Sequence, residues 1–329
     1  MARPILIIEF SHSTVRAGVY PRAGSAPSAY FTLPAVGMGV REAVSAVLSE
    51  AAGTGKADVR ASDIFVSVPP STAILRVVEV PVGQRDKINE ILPFELAGAL
   101  SVDVDDVVVD NIPAGAGRAI AVALEKKVLS EYLEAFRAAN ADPVWVGVAG
   151  FSVPYFLYGL EKTPGTVAFV REDFMSVSRE GVPVFFNSYS GPGGLRLSLK
   201  YLEAEGVAID AVRYEGINGE ETTALFPGVP SEEVEVPGGL TPDAIGIAAV
   251  ADEVSKGDIG ETVNFRKGEF ENTREKSAFK RKLRFTFVLL AATALFVAGD
   301  FYVRYLTLGG ELAAYKKAMR ASYTGLFPG

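Results

Sequence analysis

The sequence predicts an α/β protein made of two related halves, followed by a single transmembrane helix. The order hairpin, third strand, helix occurs over residues 3–52 and begins again near residue 163. A basic cluster followed by an apolar stretch stands near the end of the chain. The 329 residues, 49% of them hydrophobic, suffice for two domains with sizeable cores.

This order divides the chain into five segments. Residues 1–162 form the first half and residues 163–270 the second, with the boundary at the turn Thr-Pro-Gly. Residues 271–284 form a basic juxtamembrane linker, residues 285–304 the transmembrane helix, and residues 305–329 the start of a helix beyond the membrane.

The first hairpin has the sequence ILIIEFSHSTVRAGVY, an apolar strand and a polar turn before the second strand. The acid near the end of the strand is Glu9, and the turn contains Ser11 and Ser13 but no glycine. This hairpin resembles the one that opens actin-like ATPases, where an aspartate in this place acts through Mg²⁺ and the turn holds the nucleotide phosphates. The resemblance implies an actin-like (ribonuclease H-like) fold.

The corresponding hairpin of the second half, VAFVREDFMSV, has no Asp-x-Gly turn. Glycine lets backbone N–H groups approach a phosphate, whereas bulky side chains do not, and carboxylates without a metal repel it. We therefore expect no catalytic residue, no cofactor and no metal. Both phosphate hairpins are predicted to be degenerate, at Glu9, Ser11 and Ser13 and at Arg171 and Asp173.

Between the first hairpin and the boundary, strands alternate with helices. A helix over residues 83–100 is expected to break at Pro93, and residues 125–140 form an amphipathic helix. Further strands are predicted at residues 29–33, 63–70, 72–81, 105–113, 118–124 and 143–150, and further helices at residues 40–52 and 151–160.

Composition excludes several classes of function. The chain has no cysteine and one histidine, His12, so disulfides, thiolate metal sites and multi-histidine sites are excluded, and His12 is interpreted as a polar turn residue. Residues 1–270 carry 22 basic and 36 acidic residues, a net charge of −14, which argues against binding of nucleic acid. Residues 202–236, with nine acids and one base, form either a solvated face or a docking face for a basic partner.

The predicted transmembrane helix follows from charge and hydropathy. Residues 285–299 are uncharged, and an extension to residue 303 gives 19 residues, close to the roughly 20 that cross a bilayer. The alternative is a buried core helix, but no other segment is apolar over such a length. Positive charge beside a span stays in the cytoplasm, so the N-terminus is expected there. The residues that set this topology are Lys280, Arg281, Lys282 and Arg284.

Several ordered stretches resemble known families. VSVPPSTAILRVVEVP and ILPFELAGALSVDVDDVVVD are similar to the type IV pilus assembly protein M, an actin-like adaptor. IGETVNFRKGEF resembles the Asn-Leu-x-x-Gly-x-Phe segment that ends the cytoplasmic domain of the type II secretion system protein L, although Phe265 and Arg266 replace leucines. The basic linker, the span and a short helix ending in Phe-Pro-Gly also resemble protein L. The ferredoxin-like periplasmic domain of that family is missing, as in a truncated chain or a short variant.

The resemblance implies a non-enzymatic, single-pass protein of the bacterial inner membrane. Protein L recruits the cytoplasmic secretion ATPase, protein E, and pairs with protein M of the same system, and a homodimer is expected. The alternative is a type IV pilus assembly adaptor fused to its membrane partner. A third class, an active actin-like ATPase or sugar kinase, is disfavoured by the degenerate hairpins.

The resemblance also implies a peptide bound in cis. In the pilus system a separate membrane protein presents an Asn-Leu-Leu-type peptide to a groove of its actin-like partner. Here the similar residues belong to the same chain, so Phe265 and Phe270 would anchor the segment, Gly268 would match the family glycine, and Asn264 would bond the groove backbone. The alternative is an ordinary linker.

Overall fold

The computed structural model describes residues 3–55, 58–80, 85–96, 102–115, 117–236, 239–255, 262–272, 290, 293–302, 305 and 307–320. The chain forms two compact units, residues 1–271 and residues 272–329. We refer to residues 1–271 as the body.

The first sheet of the body has the strand order β3-β2-β1-β4-β8. The first three strands are antiparallel, while β4 and β8 continue the sheet parallel to β1. All six residues of β1 are buried because helices cover both faces of the sheet. The strands are β1 (Ile5–Phe10), β2 (Thr14–Tyr20), β3 (Ala29–Pro34), β4 (Asp63–Val68) and β8 (Trp145–Val148).

Successive side chains of β1 enter two different cores, as the alternation of a strand requires. Leu6 and Ile8 pack with the helices α1 (Val40–Gly53) and α3 (Lys126–Ala138). Ile5 and Ile7 pack instead with α6 (Pro242–Ser255).

The second sheet repeats the same topology, with the order β11-β10-β9-β12-β13. Here too a hairpin and a third antiparallel strand are followed by two parallel strands. The prediction of two related α/β halves is thereby confirmed. The elements are β9 (Thr166–Arg171), β10 (Phe174–Arg179), β11 (Val182–Ser188), α4 (Gly191–Ala204), β12 (Ala211–Glu215), α5 (Gly219–Leu225) and β13 (Ser231–Glu233).

The part of the chain that connects β4 to β8 forms a third sheet, of order β5-β7-β6. Its helix, α2 (Arg85–Leu96), continues through Pro93, so the predicted break there is wrong. Leu92 and Leu96 on either side of the proline are buried, and this packing offsets the lost backbone hydrogen bond. The strands are β5 (Ala73–Glu79), β6 (Val107–Pro113) and β7 (Arg118–Glu125).

The last elements of the body return to the first sheet. The second half is predicted to cover residues 163–270, but α6 packs on β1 and β2, and residues 262–270 lie beside β8. The second half in space therefore ends before α6.

The predicted transmembrane helix falls partly outside the described residues. Within that stretch, residue 290 and residues 293–302 are helical, as are residues 307–320 beyond it. The basic residues Lys280, Arg281, Lys282 and Arg284, and most of the linker, lie outside the described residues. No helix in the described part of the chain combines the length and the apolar character needed to cross a membrane.

Candidate functional site

The turn of the first hairpin is closed by its own side chains. The Ser11 hydroxyl accepts a hydrogen bond from the Thr14 amide at 3.1 Å and lies 2.9 Å from the Thr14 hydroxyl. The Ser13 carbonyl accepts from the amide of Ala35 at 2.8 Å. These contacts fix the turn without a ligand, while the His12 side chain is exposed.

Glu9 is buried at the point where three elements meet. One carboxylate oxygen accepts from Nη1 of Arg171, at the end of β9, and the other accepts from the hydroxyl of Thr241. Thr241 in turn accepts from the Ala244 amide at 3.0 Å and so caps α6, with Pro242 in the first helical position. The acid that stands where actin-like ATPases have an aspartate therefore joins the two halves.

The guanidinium of Arg171 is almost fully committed to protein partners. Its Nε and Nη2 donate to the two carboxylate oxygens of Asp173 at 2.7 and 2.9 Å, a bidentate pair. Its Cζ lies 4.6 Å from the ring centre of Phe174. Burial alone would lower the pKa of Arg171, but the charges of Glu9 and Asp173 outweigh it and hold the pKa above its ordinary value.

A second ion pair joins the halves next to this one. Nη1 of Arg16, on β2, donates to Glu215, on β12, at 3.2 Å. Burial and the nearby charge of Glu9 raise the pKa of Glu215 from 4.5 to about 7, although Arg171 and Arg16 act in the opposite direction. Its other oxygen, Oε2, is buried without a partner in the described structure.

Asp243, two residues after Thr241, is buried near Glu9. It accepts from the Ser152 amide at 2.9 Å and from the Ser67 hydroxyl at 3.2 Å. Burial, followed by the charge of Glu9, holds the pKa of Asp243 well above its ordinary value. We call this set the cleft network: Glu9, Arg16, Arg171, Asp173, Glu215, Thr241 and Asp243.

The cleft network holds four carboxylates around two guanidinium groups. A bound polyphosphate would have to displace Asp173 or Glu9 from Arg171, and it would then lie among the remaining carboxylates. Neither hairpin turn contains a glycine that would open backbone donors to such a ligand. Among the described residues, no group of three or more acidic or histidine side chains could hold a metal ion.

The structure places the residues of the predicted cis peptide beside β8. We call residues 262–270 the docked segment. The Phe265 amide donates to the Val146 carbonyl at 2.8 Å, and the Val146 amide donates to the Asn264 side chain at 3.4 Å. Phe265 is fully buried, whereas Phe270 packs at the margin of the core.

Charged groups accompany this docking. The Asn264 amide donates to Asp110 at 2.8 Å, and Nζ of Lys267 lies 2.9 Å from the same carboxylate. Arg266 donates to Asp142 at 2.9 Å, and the docked segment then ends in a short 3₁₀ turn that contains Gly268.

The acidic stretch over residues 202–236 is mostly solvated. Eight of its nine acids are exposed, and the ninth is Glu215 in the cleft network. Its single base, Arg213, pairs with Glu232 at 3.1 Å and lies 3.7 Å from Glu161. Glu205 also pairs with Arg118, and Asp210 accepts from the Thr166 amide, so part of this face is already engaged by contacts within the chain.

Glu9, Arg171 and Asp173 are predicted from the sequence as parts of the two degenerate hairpins, whereas the other members of the network are not predicted as site residues. Thr241 carried a detectable signal, because Thr-Pro-Asp is a typical start of a helix. Arg16, Glu215 and Asp243 carried none, since their meeting depends on how the two halves are oriented.

No protein-family model matches the chain, and no curated protein matches it. Among solved structures, the cytoplasmic domain of EpsL, an inner-membrane component of the type II secretion system of Vibrio cholerae, has 18% identity and a TM-score of 0.52, and the match covers 82% of this chain and 100% of that one. PilM, from a PilM–PilN type IV pilus biogenesis complex, has 16% identity and a TM-score of 0.59, over 78% and 99% of the two chains. A Bacteroides thetaiotaomicron protein with an actin-like ATPase fold has 13% identity and a TM-score of 0.50, over 75% and 95%. The body therefore has an actin-like fold.

Proposed function

We propose that the protein is a non-enzymatic platform protein of a bacterial inner-membrane secretion assembly. In this role the body recruits a cytoplasmic secretion ATPase by surface contact, and the predicted transmembrane helix couples it to the membrane complex. The observation that carries the proposal is the buried ion pair between Glu9 and Arg171.

This ion pair replaces what a nucleotide would contribute to an actin-like cleft. In an actin-like ATPase, the nucleotide phosphates and their metal ion lie between the two hairpins and link them. Here the positive charge of Arg171, which binds Glu9, provides a link from within the chain. Because Arg171 also binds Asp173 in bidentate fashion, it has little capacity left for a phosphate. In our proposal this ion pair links the two halves of the body, which is the contribution a scaffold needs.

The docked segment supports the same role. It joins the body to the part of the chain that contains the basic linker and the predicted span. Its main-chain bond to β8 and the burial of Phe265 hold that connection against the first half. In our proposal the docked segment is a cis counterpart of a peptide that a membrane partner would otherwise supply.

A type IV pilus assembly adaptor is the second candidate. The observation that favours it is the docked segment. The body shares its fold with PilM, which was solved in a complex with PilN, and in this alternative the docked segment takes the place of a peptide from such a partner. In this alternative the chain unites the adaptor and its membrane partner. The two candidates differ in the partner that they predict: a platform protein would bind a secretion ATPase, whereas a pilus adaptor would bind a pilus ATPase.

The test is capture of each ATPase by the full chain in detergent, with and without added ATP, together with a hydrolysis assay on the chain alone. We expect capture that does not depend on nucleotide bound by this chain, and no hydrolysis. Hydrolysis that disappears on Glu9→Ala would overturn the non-enzymatic role. Capture that is lost when a nucleotide-free chain is used would contradict recruitment by surface.

A further inference from the structure

A slot of about 370 Å³ lies between two strands that end their sheets. Residues 75–77 of β5 line one side, and residues 185–187 of β11 line the other. Within the described part of the chain, β5 pairs only with β7, and β11 only with β10. Consecutive strand residues point to opposite faces, so a slot that touches three in a row lies along the edge of the strand.

Within the described residues, the backbone of β5 has hydrogen-bonding groups on the side of this slot that β7 does not pair. The Val80 amide donates to the Gly117 carbonyl at 2.7 Å, which orients residue 80 towards β7. In an antiparallel pair, alternate residues turn their N–H and C=O groups to the same neighbour. Arg76 and Val78 therefore face β7, whereas Leu75 and Val77 direct their backbone groups to the free edge. The complement of such an edge is another extended strand.

The side chains around the slot define what that strand would carry. Leu197 and Tyr201 of α4 are exposed and form an apolar wall with Phe185, and Ile120 closes the base. Arg76 is the one charged residue that lines the slot. A strand with apolar side chains towards the wall and an acid between them would match both features, because opposite charges stabilise cross-strand pairs.

The sequence of β5 carries only part of the usual protection of a free edge, namely the charges of Arg76 and Glu79. Natural edge strands are commonly blunted by proline, by inward charges or by a bulge. β5 reads Ala-Ile-Leu-Arg-Val-Val-Glu, with no proline, and its pairing with β7 is regular over all seven residues.

We propose that the slot binds an extended segment of a partner protein, which adds to β5 as a fourth strand. Two apolar side chains of that segment lie against α4 and β11, and a carboxylate between them lies beside Arg76. This surface is separate from the cleft network and from the docked segment, so the inference does not depend on the proposed function.

The first test uses a defined probe. The full chain in detergent is titrated with a fluorescently labelled peptide, Lys-Thr-Val-Glu-Val-Thr-Lys, and anisotropy reports binding. Two further peptides carry N-methyl groups, one on the valines and the other on the threonines and the glutamate. We expect saturable binding below about 1 mM and a loss of at least about tenfold for only one of the methylated peptides. Alternate amides alone face β5, so equal effects of the two methylation patterns, or no binding by about 1 mM, would overturn the proposal.

The second test places the peptide on the protein. Leu197→Glu adds a charge to the apolar wall at an exposed position, and it should weaken binding by at least about tenfold without affecting folding. Phe94→Glu, a matched change at an exposed apolar position of α2, should leave binding unchanged. Arg76→Glu should weaken binding about threefold, and a peptide with lysine in place of its glutamate should restore it. Equal affinities for the unaltered chain and the Leu197→Glu chain would place the peptide elsewhere and refute the proposal.

Discussion

The cleft network and the docked segment each contain a buried arginine, and the two arginines differ in how many of their guanidinium nitrogens have a hydrogen-bond partner. In the cleft, Nε, Nη1 and Nη2 of Arg171 all donate to carboxylates. In the docked segment, the guanidinium of Arg266 donates from Nη2 to Asp142, and its Nε and Nη1 are buried without a partner in the described structure. The side chains of both arginines are at most 5% exposed, so burial alone does not distinguish them.

The difference indicates which contacts hold each region in place. A buried charge that is fully paired is costly to disturb, because removing one partner leaves the other unpaired inside the protein. A buried charge whose donors are only partly paired already destabilises the folded state, so its removal costs less. The cleft is therefore held by its ion pairs, whereas the docked segment is held by Phe265 and by its main-chain bonds despite Arg266.

The largest effect is expected from Arg171→Met. This change leaves Glu9 and Asp173 without their cation, and it should reduce the free energy of unfolding by about 3–5 kcal/mol. Urea unfolding followed through the fluorescence of Trp145, the single and buried tryptophan, measures it. A matched control is Arg118→Met, which removes a half-exposed pair with Glu205 and should cost at most about 1 kcal/mol.

The pairing of charge is tested by a second substitution in the same background. Adding Glu9→Gln to Arg171→Met removes one of the stranded carboxylates, so the double variant should recover part of the lost stability. If the two losses simply added, Glu9 and Arg171 would not be coupled, and the cleft would not be held by this pair.

An intermediate effect is expected from pH, through Glu215. Its pKa is raised to about 7 in the folded chain, so the folded state holds this proton more tightly than the unfolded state does. The resulting stabilisation is complete below the unfolded pKa near 4.5 and is lost as the pH rises through about 7. The raised pKa of Asp243 acts in the same direction.

Glu215→Gln isolates this contribution because glutamine does not ionise. Between pH 5 and pH 8 the unaltered chain should lose about 1–3 kcal/mol relative to this variant. Arg16→Met removes a group that lowers the pKa of Glu215, so it should move the loss to higher pH. Denaturant unfolding at a series of pH values measures both, and parallel curves for the unaltered chain and Glu215→Gln would contradict the prediction.

The fold was largely predictable from the sequence, and the cleft only in part. The duplicated order of strands and helices is a local pattern, and the three antiparallel strands of each five-stranded sheet follow from it, whereas β12 and β13 were not predicted. The helix through Pro93 was missed because its packing, through Leu92 and Leu96, outweighs the local cost of proline.

The remaining misses concern contacts between distant residues. The pairs Glu9–Arg171 and Arg16–Glu215 connect residues far apart in the chain, and no periodicity encodes them. The absence of turn glycines indicated that the hairpins differ from phosphate-binding ones, but it did not indicate that they bind each other. In the same way, Phe265 was recognised as an anchor from its motif, while its position beside Val146 follows only from the return of the chain to the first sheet.

The smallest effect is expected from Arg266→Met, the same substitution that should be severe at Arg171. The change removes two buried donors that have no partner, and it frees Asp142, which is already 32% exposed and can bind water instead. Methionine fills a similar volume and needs no hydrogen bond. The free energy of unfolding should therefore change by less than about 1 kcal/mol, in either direction.

Phe265→Ala is the control for this measurement, because it removes the fully buried anchor of the same segment. Phe265→Ala should lower the free energy of unfolding by about 3 kcal/mol or detach the docked segment. In the Arg266→Met chain, hydrogen exchange at the Phe265 amide would reveal whether the segment has detached. If Arg266→Met proved as costly as Arg171→Met, the docked segment would depend on its buried charge just as the cleft does, and the contrast between the two regions would fail. A small loss beside a large one would instead show that completeness of pairing, rather than depth of burial, determines what an arginine contributes in this body.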